Sequence, residues 1–358
     1  MTQMNELGFY TLAGAPESPR ELIDEVRQAE ELGIGSVFIS ERFNVKEAAT
    51  LSGAVGVAAE TMGIATAATN HHTRHPVVTA AYAMTMHKLT GGRFCLGLGR
   101  GVDRLSQALG LHPITTAQME DFAGVMRRLW QGEAIFNHEG PIGSYPVLTL
   151  MGASSEHIPM ALTAFGPNSL ALGGRCFDAV VLHTFFTDET TARVVGEVKQ
   201  AAENAGRDPA SVKVWSCFAT IGDHLPEDVR LKKTVGRMAT YLQGYPELMA
   251  RTNNWDPAAL ERFLADDLVA GFQGAIDQTA TTEQLEHIAE LIPDEWLAPA
   301  ATGTPAQCVE KIRGQFDLGC DGVILHGASP TQLQPIVEEY SRTRPDSAFG
   351  HLSANPGG

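Results

Sequence analysis

Eight short apolar runs, each followed by a stretch of helical periodicity, punctuate the chain from Leu7 to His326. Strand–helix alternation of this kind gives parallel strands joined by right-handed crossovers. Eight such units predict a (β/α)8 TIM barrel, an α/β fold. A doubly wound open sheet, the runner-up, would not need eight units and usually carries a GxGxxG turn after its first strand. In a barrel the chemistry sits at the carboxyl ends of the strands, while the opposite face mainly stabilises the fold.

The runs predict strands over residues 7–12, 35–40, 63–68, 93–98, 158–163, 177–183, 212–221 and 321–326. Pro19 opens the first helix, with Ser18 as N-cap and Glu21 as its capping-box partner. Residues 104–132 hold one long helix or two shorter ones, because Pro113 interrupts the pattern. Two segments break the repeat. Residues 133–152 are rich in Gly and Pro and read as a hairpin-like excursion after helix four. Residues 222–300 are charged and helical in pattern, a helical insertion after strand seven. The expected organisation is one barrel domain over 1–346, with 347–358 as a frayed, flexible tail.

The chain of 358 residues is long enough for a barrel of ~250 residues with insertions. Its net charge of -16 argues against nucleic acid, whose phosphates require Lys and Arg, and against anionic membrane surfaces. None of the 5 cysteines forms a CxxC pair, so neither a disulfide framework nor a structural zinc site is expected. Residues 1–8 lack a basic start followed by an apolar block, and no apolar stretch reaches the ~20 residues of a membrane span. A cytoplasmic enzyme acting on a small molecule is the expectation.

Several runs end in residues that carry chemistry. Gly97-Leu98-Gly99-Arg100-Gly101 ends strand four, where missing Cβ atoms let backbone approach a planar ring or a phosphate. The spacing is not GxGxxG, and by itself it also fits a tight turn. Glu41 and Arg42 follow strand two, and could polarise a cofactor carbonyl, hold a substrate anion, or form a rim salt bridge. His71 and His72 follow strand three, while His183 and His326 end strands six and eight. Any of these could move a proton or sit passively in a loop; without HxH or HExxH spacing they do not read as a metal site. Phe165-Gly166-Pro167-Asn168 opens a short helix whose N–H groups could take a phosphate, or which Asn168 could simply cap. Tyr10, Phe185 and Trp215 could stack on a ring or pack the core.

These motifs together resemble the bacterial luciferase-like flavin and deazaflavin oxidoreductases. The resemblance runs through Pro19-Arg20-Glu21-Leu22 and Ser40-Glu41-Arg42-Phe43 to His75-Pro76 and Gly92-Arg93-Phe94. It continues through Gly97–Gly101 and Gly303-Thr304-Pro305 to Gly319-Cys320-Asp321-Gly322-Val323 and His326. Within the family it leans toward the branch that uses coenzyme F420, typified by a sugar-phosphate dehydrogenase. The resemblance implies a homodimer with a deazaflavin across the barrel mouth. It would place Glu41 and Arg42 by the polar edge of the ring, and Thr66 and Ala67, near a non-proline cis peptide, under it. Gly99, Arg100 and Gly101 would pass beside the ring, and Phe165, Gly166, Pro167 and Asn168 would hold the tail phosphate.

The chain departs from the sugar-phosphate enzymes where they hold substrate. Arg42 replaces a histidine, Lys46 an aromatic residue, Val102 and Ala15 glutamates, and Phe186 a lysine. Sugar-phosphate oxidation is therefore rejected. A less charged substrate is expected, such as an alcohol, a carbonyl or an activated C=C, met by Tyr10, Val102, Asp103, His183, Phe186 and Trp215. The leading reading is hydride transfer with F420, with His71, His72 or His326 moving the proton and Arg42 steadying charge on the cofactor. The alternatives are an FMN-dependent monooxygenase using molecular oxygen, and a non-catalytic cofactor carrier.

Overall fold

The computed structural model describes residues 2–13, 16–42, 45–153, 157–345 and 348–358, without the Leu105 side chain. Ala15 and Phe43, singled out above, lie outside the described residues. The strands are β1 (Met4–Tyr10), β2 (Ile34–Ile39), β3 (Gly63–Thr66), β4 (Phe94–Leu98), β5 (Met160–Ala164), β6 (Ala179–Leu182), β7 (Lys213–Gly222) and β8 (Gly322–His326). Each pairs in parallel with its successor, and β8 returns to β1 to close the ring. The expected TIM barrel is what the chain forms. A short strand, Ala301–Gly303, lies alongside the end of β7.

Local signals explain the helices. Between β1 and β2 the helix Glu21–Glu31 starts where Glu21 accepts from the Ser18 N–H at 2.8 Å, half of the expected capping box. Pro113 does divide its segment: Asp103–Ala108 is a short helix, and Thr116–Trp130 is a second one with a complete capping box between Thr115 and Gln118. Residues Ile135–Gly140 and Gly143–Leu148 pair antiparallel as the expected hairpin. The insertion after β7 is a series of short helices joined by turns and has its own apolar core, including Met238, Phe263 and the stacked pair Trp255 and Trp296. No helix among the described residues is long and apolar enough to cross a membrane.

Inside the ring, alternate strand residues meet as layers. Ala65, Cys95, Ala161 and Ala179 are small, and the space they leave is taken by Phe38 and Trp215, whose rings meet at 5.1 Å. Large residues facing small ones fill a barrel without strain. Trp215 also needs Gly322, since a Cβ there would stand 2.5 Å from the indole.

The tail corrects two expectations. It is not frayed: it plugs the floor of the barrel, at the amino ends of the strands. Asn355 Nδ2 donates to the carbonyls of Gly92 and Phe94 at 2.7 and 3.0 Å, and Asn5 Nδ2 donates to Leu352 at 2.9 Å. Trp215 Nε1 donates to the Pro356 carbonyl at 2.8 Å. Trp215 therefore does not meet substrate; it faces the floor, where the tail satisfies its indole N–H. Each such bond contributes about 1 kcal/mol net. Deleting residues 353–358 should cost about 2–4 kcal/mol, and Trp215→Phe about 1 kcal/mol, read as lowered thermal unfolding midpoints with the native spectrum retained. An unchanged midpoint on deletion would mean the plug adds nothing to stability.

Candidate active site

The carboxyl ends of the strands surround an open cavity of about 620 Å³. That is within the ~300–1,000 Å³ typical of small-molecule and cofactor sites. Tyr10, Arg42, Ala67, Arg100, Gly101 and Val102 line one part of it, and Phe165, Gly166, Pro167, Asn168, His183 and His326 another.

Glu41 lines this cavity and organises the loops around it. Its nearly buried carboxylate accepts from Thr69 Oγ1 at 2.7 Å, Asn70 Nδ2 at 2.9 Å, Arg74 Nη2 at 2.5 Å and the Ala48 N–H at 3.1 Å. With four donors it pins the ends of β2 and β3 to the following helix. The structure thus gives Glu41 a positioning role at the cavity wall, where it was also expected to meet a cofactor edge. Thr66 is likewise corrected. Its hydroxyl is buried, bonded to the carbonyl and N–H of Gly97 at 2.8 Å each, and does not line the cavity. The cis peptide bond joins Ala67 to Ala68.

Across the mouth, Gly166 is the N-cap of the helix Pro167–Cys176, which has no acidic residue in its first turn. The chain from Phe165 to Ser169 faces the cavity, so the positive end of the helix dipole does too. Phe165 stacks flat on His183, with centroids 4.3 Å apart and planes 9° apart. Both His183 nitrogens are engaged: Nδ1 donates to the Thr184 carbonyl at 2.9 Å, and Nε2 accepts from Tyr245 Oη at 3.0 Å. That assignment follows because a carbonyl only accepts. Burial pushes the ring down to about 4, so it stays neutral.

His326 differs. Its Nδ1 is buried without a hydrogen-bond partner among the described residues, and its ring meets Tyr10 edge-on at 5.5 Å. Burial first, then the cations Arg237, Lys233 and Arg42 and the neighbouring His183, hold it well below the usual histidine range. Arg42 and Lys46 pair backbone to backbone, and the Arg42 side chain has no partner among the described residues. Lys46 Nζ donates to the Leu12 carbonyl at 2.8 Å, and burial and Arg42 bring it down to about 8.

Several expected site residues lie elsewhere. His71 is 7% exposed, stacked on Phe122 at 5.3 Å, with neither ring nitrogen partnered among the described residues, and it does not line the cavity. His72 packs edge-on against it at 4.5 Å and is also outside. Neither is placed to move a proton in the cavity. Asp103 begins an exposed helix, one step too far round to face the mouth. Phe186 is buried behind Phe165 at 5.4 Å. Gly99 packs underneath, where a Cβ would meet Thr163 Oγ1 at 2.5 Å. Among the described residues no three His, Cys, Asp or Glu side chains converge to hold a metal ion.

Sequence reasoning missed the part of the site that the insertion supplies. Arg237, Tyr241, Tyr245 and Arg251 reach over the mouth. Arg237 Nη1 pairs with Asp277 at 2.8 Å, and Tyr241 meets His183 at 4.6 Å. The fourfold spacing of Arg237, Tyr241 and Tyr245 was the available signal, since it sets all three on one helical face.

With this geometry in hand, comparison with known proteins is informative. The family model described as luciferase-like monooxygenase matches residues 4–322. A 5,10-methylenetetrahydromethanopterin reductase of Methanolobus tindarius is 24% identical over 303 residues, 83% of this chain and 86% of that protein. An F420-dependent glucose-6-phosphate dehydrogenase of Segniliparus rotundus is 26% identical over 353 residues, 93% of this chain and 95% of that one. Among solved structures, the coenzyme F420 dependent tetrahydromethanopterin reductase from Methanopyrus kandleri superposes with a TM-score of 0.78 at 18% identity, covering 93% of this chain and 97% of its own. That likeness attests the fold.

Burial and the neighbouring His72 hold His71 at about 4, against 6.5 for an ordinary histidine, so between these values the folded chain binds fewer protons than the unfolded one. Stability is then complete above about pH 6.5 and falls as the pH drops toward about 4. His71→Phe keeps the stacking and removes the titration. It should shrink the stability lost between about pH 7 and about pH 5 by about 1–2 kcal/mol in guanidinium unfolding. An undiminished loss would show that His71 titrates normally.

Proposed function

The chain belongs to the luciferase-like monooxygenase family and is an oxidoreductase, and from that premise we propose that it transfers hydride between coenzyme F420 and a small organic substrate. The observation that carries this reading is a single cavity with two unlike halves. One half offers a helix N-terminus free of acidic side chains in its first turn, at Gly166-Pro167-Asn168, with Phe165 beside it. The other offers close-approach backbone at Ala67, Arg100, Gly101 and Val102. An extended cofactor with a planar ring and a phosphorylated tail fits that division. Relatives named for F420 support the choice over FMN.

Bound there, F420 would supply the hydride acceptor or donor. This chain's own residues do the rest. Gly101, with φ of 71°, and Val102 give the ring side its shape. The first turn of Pro167–Cys176 takes the phosphate through the Asn168 N–H and the helix dipole, since Pro167 has no N–H and those of Ser169 and Leu170 donate to the Gly166 carbonyl. Tyr241 and Tyr245 shield the mouth from water. His326 handles the proton: it lines the cavity, it is kept neutral, and unlike His183 its nitrogens are not spent on protein partners among the described residues. A neutral imidazole can accept the proton of an alcohol as its carbon gives up hydride, and return it in the reverse direction.

The test is direct titration. F420 should bind with its fluorescence changed, and FMN should not; tight FMN binding without F420 overturns the assignment. Gly166→Asp separates the cofactor from the fold. Aspartate is a good N-cap, and among the described residues a Cβ at this position would meet only Leu248, at 3.7 Å, so the unfolding midpoint should hold or rise. The new carboxylate would face the phosphate, and F420 affinity should fall about tenfold or more. His326→Asn should leave F420 affinity unchanged and cut turnover about 10²–10⁴-fold with any alcohol or carbonyl substrate identified by screening.

A further inference from the structure

We propose that the substrate carries an acidic group, held at the mouth by Arg42 and Arg237 beside His326. This rests on the hydride-transfer reading above. It replaces the expectation of a weakly charged substrate, which followed from motif positions alone and left out the insertion.

The argument begins with charge. The chain carries -16 overall, yet Arg42, Lys46, Lys233 and Arg237 gather on one side of the mouth. The acids facing them are already engaged. Glu25 accepts from Thr11 Oγ1 and the Leu12 N–H, both at 2.7 Å. Glu41 is taken by Arg74, Thr69 and Asn70. Asp277 pairs with Arg237 but also accepts from Thr240 Oγ1 at 3.0 Å. Arg42 is left with no partner among the described residues. A gathered positive charge of this kind is costly in a half-buried cavity unless an anion joins it. Burial first, then Arg42 and Arg237, brings Lys46 down to about 8; burial, then Arg237 and Lys232, does the same to Lys233, with Glu25 opposing in both.

Two lysines are anchored to backbone and so fix the geometry. Lys46 donates to the carbonyl of Leu12, after β1, and Lys233 to that of Gly327, after β8. Arg42, which has no partner among the described residues, and Arg237, paired through Nη1 with Asp277, line the cavity on this side. An arginine fork suits the planar oxygens of a carboxylate or the face of a phosphate.

Topology separates this patch from the cofactor cradle. Arg42 and Lys46 follow β2, Lys233 and Arg237 belong to the insertion, and the two lysines are tied to carbonyls after β1 and β8. The helix N-terminus follows β5, across the ring. An acid group on the β1–β2–β8 side would bring its bearer against His326 without competing for the tail phosphate.

Thermal unfolding of the protein without cofactor, at constant ionic strength, tests this with inorganic phosphate and with succinate as probes. The proposal expects at least one to raise the midpoint by about 2 °C at about ten times its dissociation constant. Phosphate alone would indicate a phosphate ester, succinate alone a carboxylate. The rise should vanish in Arg42→Met, whose loss leaves no described acid unpaired, and survive in Gly166→Asp. If Arg42→Met does not fold, Lys46→Met should weaken the response. No rise with either probe overturns the proposal, as does a rise lost in Gly166→Asp and kept in Arg42→Met, which would put the anion in the cradle. F420 titration of Arg42→Met provides the second readout: unchanged affinity supports a substrate site, and a loss of about tenfold or more overturns it. Failure of the unmodified protein to bind F420, with the Arg42-dependent rise intact, would instead sink the cofactor reading and leave the acid site standing.

Discussion

Ring closure between β1 and β8 is the contact on which the site depends. Leu7, Gly8 and Phe9 face Val323, Ile324 and Leu325 in register, while β1 bonds on its other edge to β2. Parallel pairing sets all eight carboxyl ends at one height, and a slip of one residue would turn each side chain to the opposite face. Tyr10, Arg42 and His326 converge only because these three strands are neighbours. Close approaches make that possible: a Cβ on Gly8 would meet the Phe38 ring at 2.5 Å, and one on Gly97 would overlap the Thr66 carbonyl.

Polar groups around the mouth divide by whether the protein itself satisfies them. Glu41 and His183 are saturated, the first by four donors and the second by one carbonyl and one hydroxyl. Saturation fixes orientation and leaves nothing for a ligand, which makes them positioning residues. Arg42 and His326 are left unpaired among the described residues in the same cavity. His326 Nδ1 is buried and Arg42 is half-buried, so of the two it is the histidine that departs from the rule that buried polar groups find partners.

The insertion and the tail act at opposite ends of the barrel. The insertion carries arginines and tyrosines over the mouth and packs on its own core around Met238 and Trp296. The tail closes the floor with backbone carbonyls and one asparagine. Reaction side and stability side are thereby separated, as a barrel allows.

The sequence alone determined the eight-unit barrel, the hairpin and the helical insertion, because hydrophobic period and turn residues act locally. It also brought Tyr10, Arg42, Phe165–Asn168, His183 and His326 to the mouth, since strand ends project there by register. What it could not decide was set by contacts between residues far apart in the chain. Trp215 reads as a ring-stacking residue until Pro356 is seen beneath it, 141 positions away. His71 and His72 follow a strand as His326 ends one, yet Phe122 draws His71 into the core. Arg237 looks like one charge on a solvated helix until the insertion folds it over the mouth. Tertiary packing alone settled these, because burial and partner choice depend on what arrives from elsewhere in the chain.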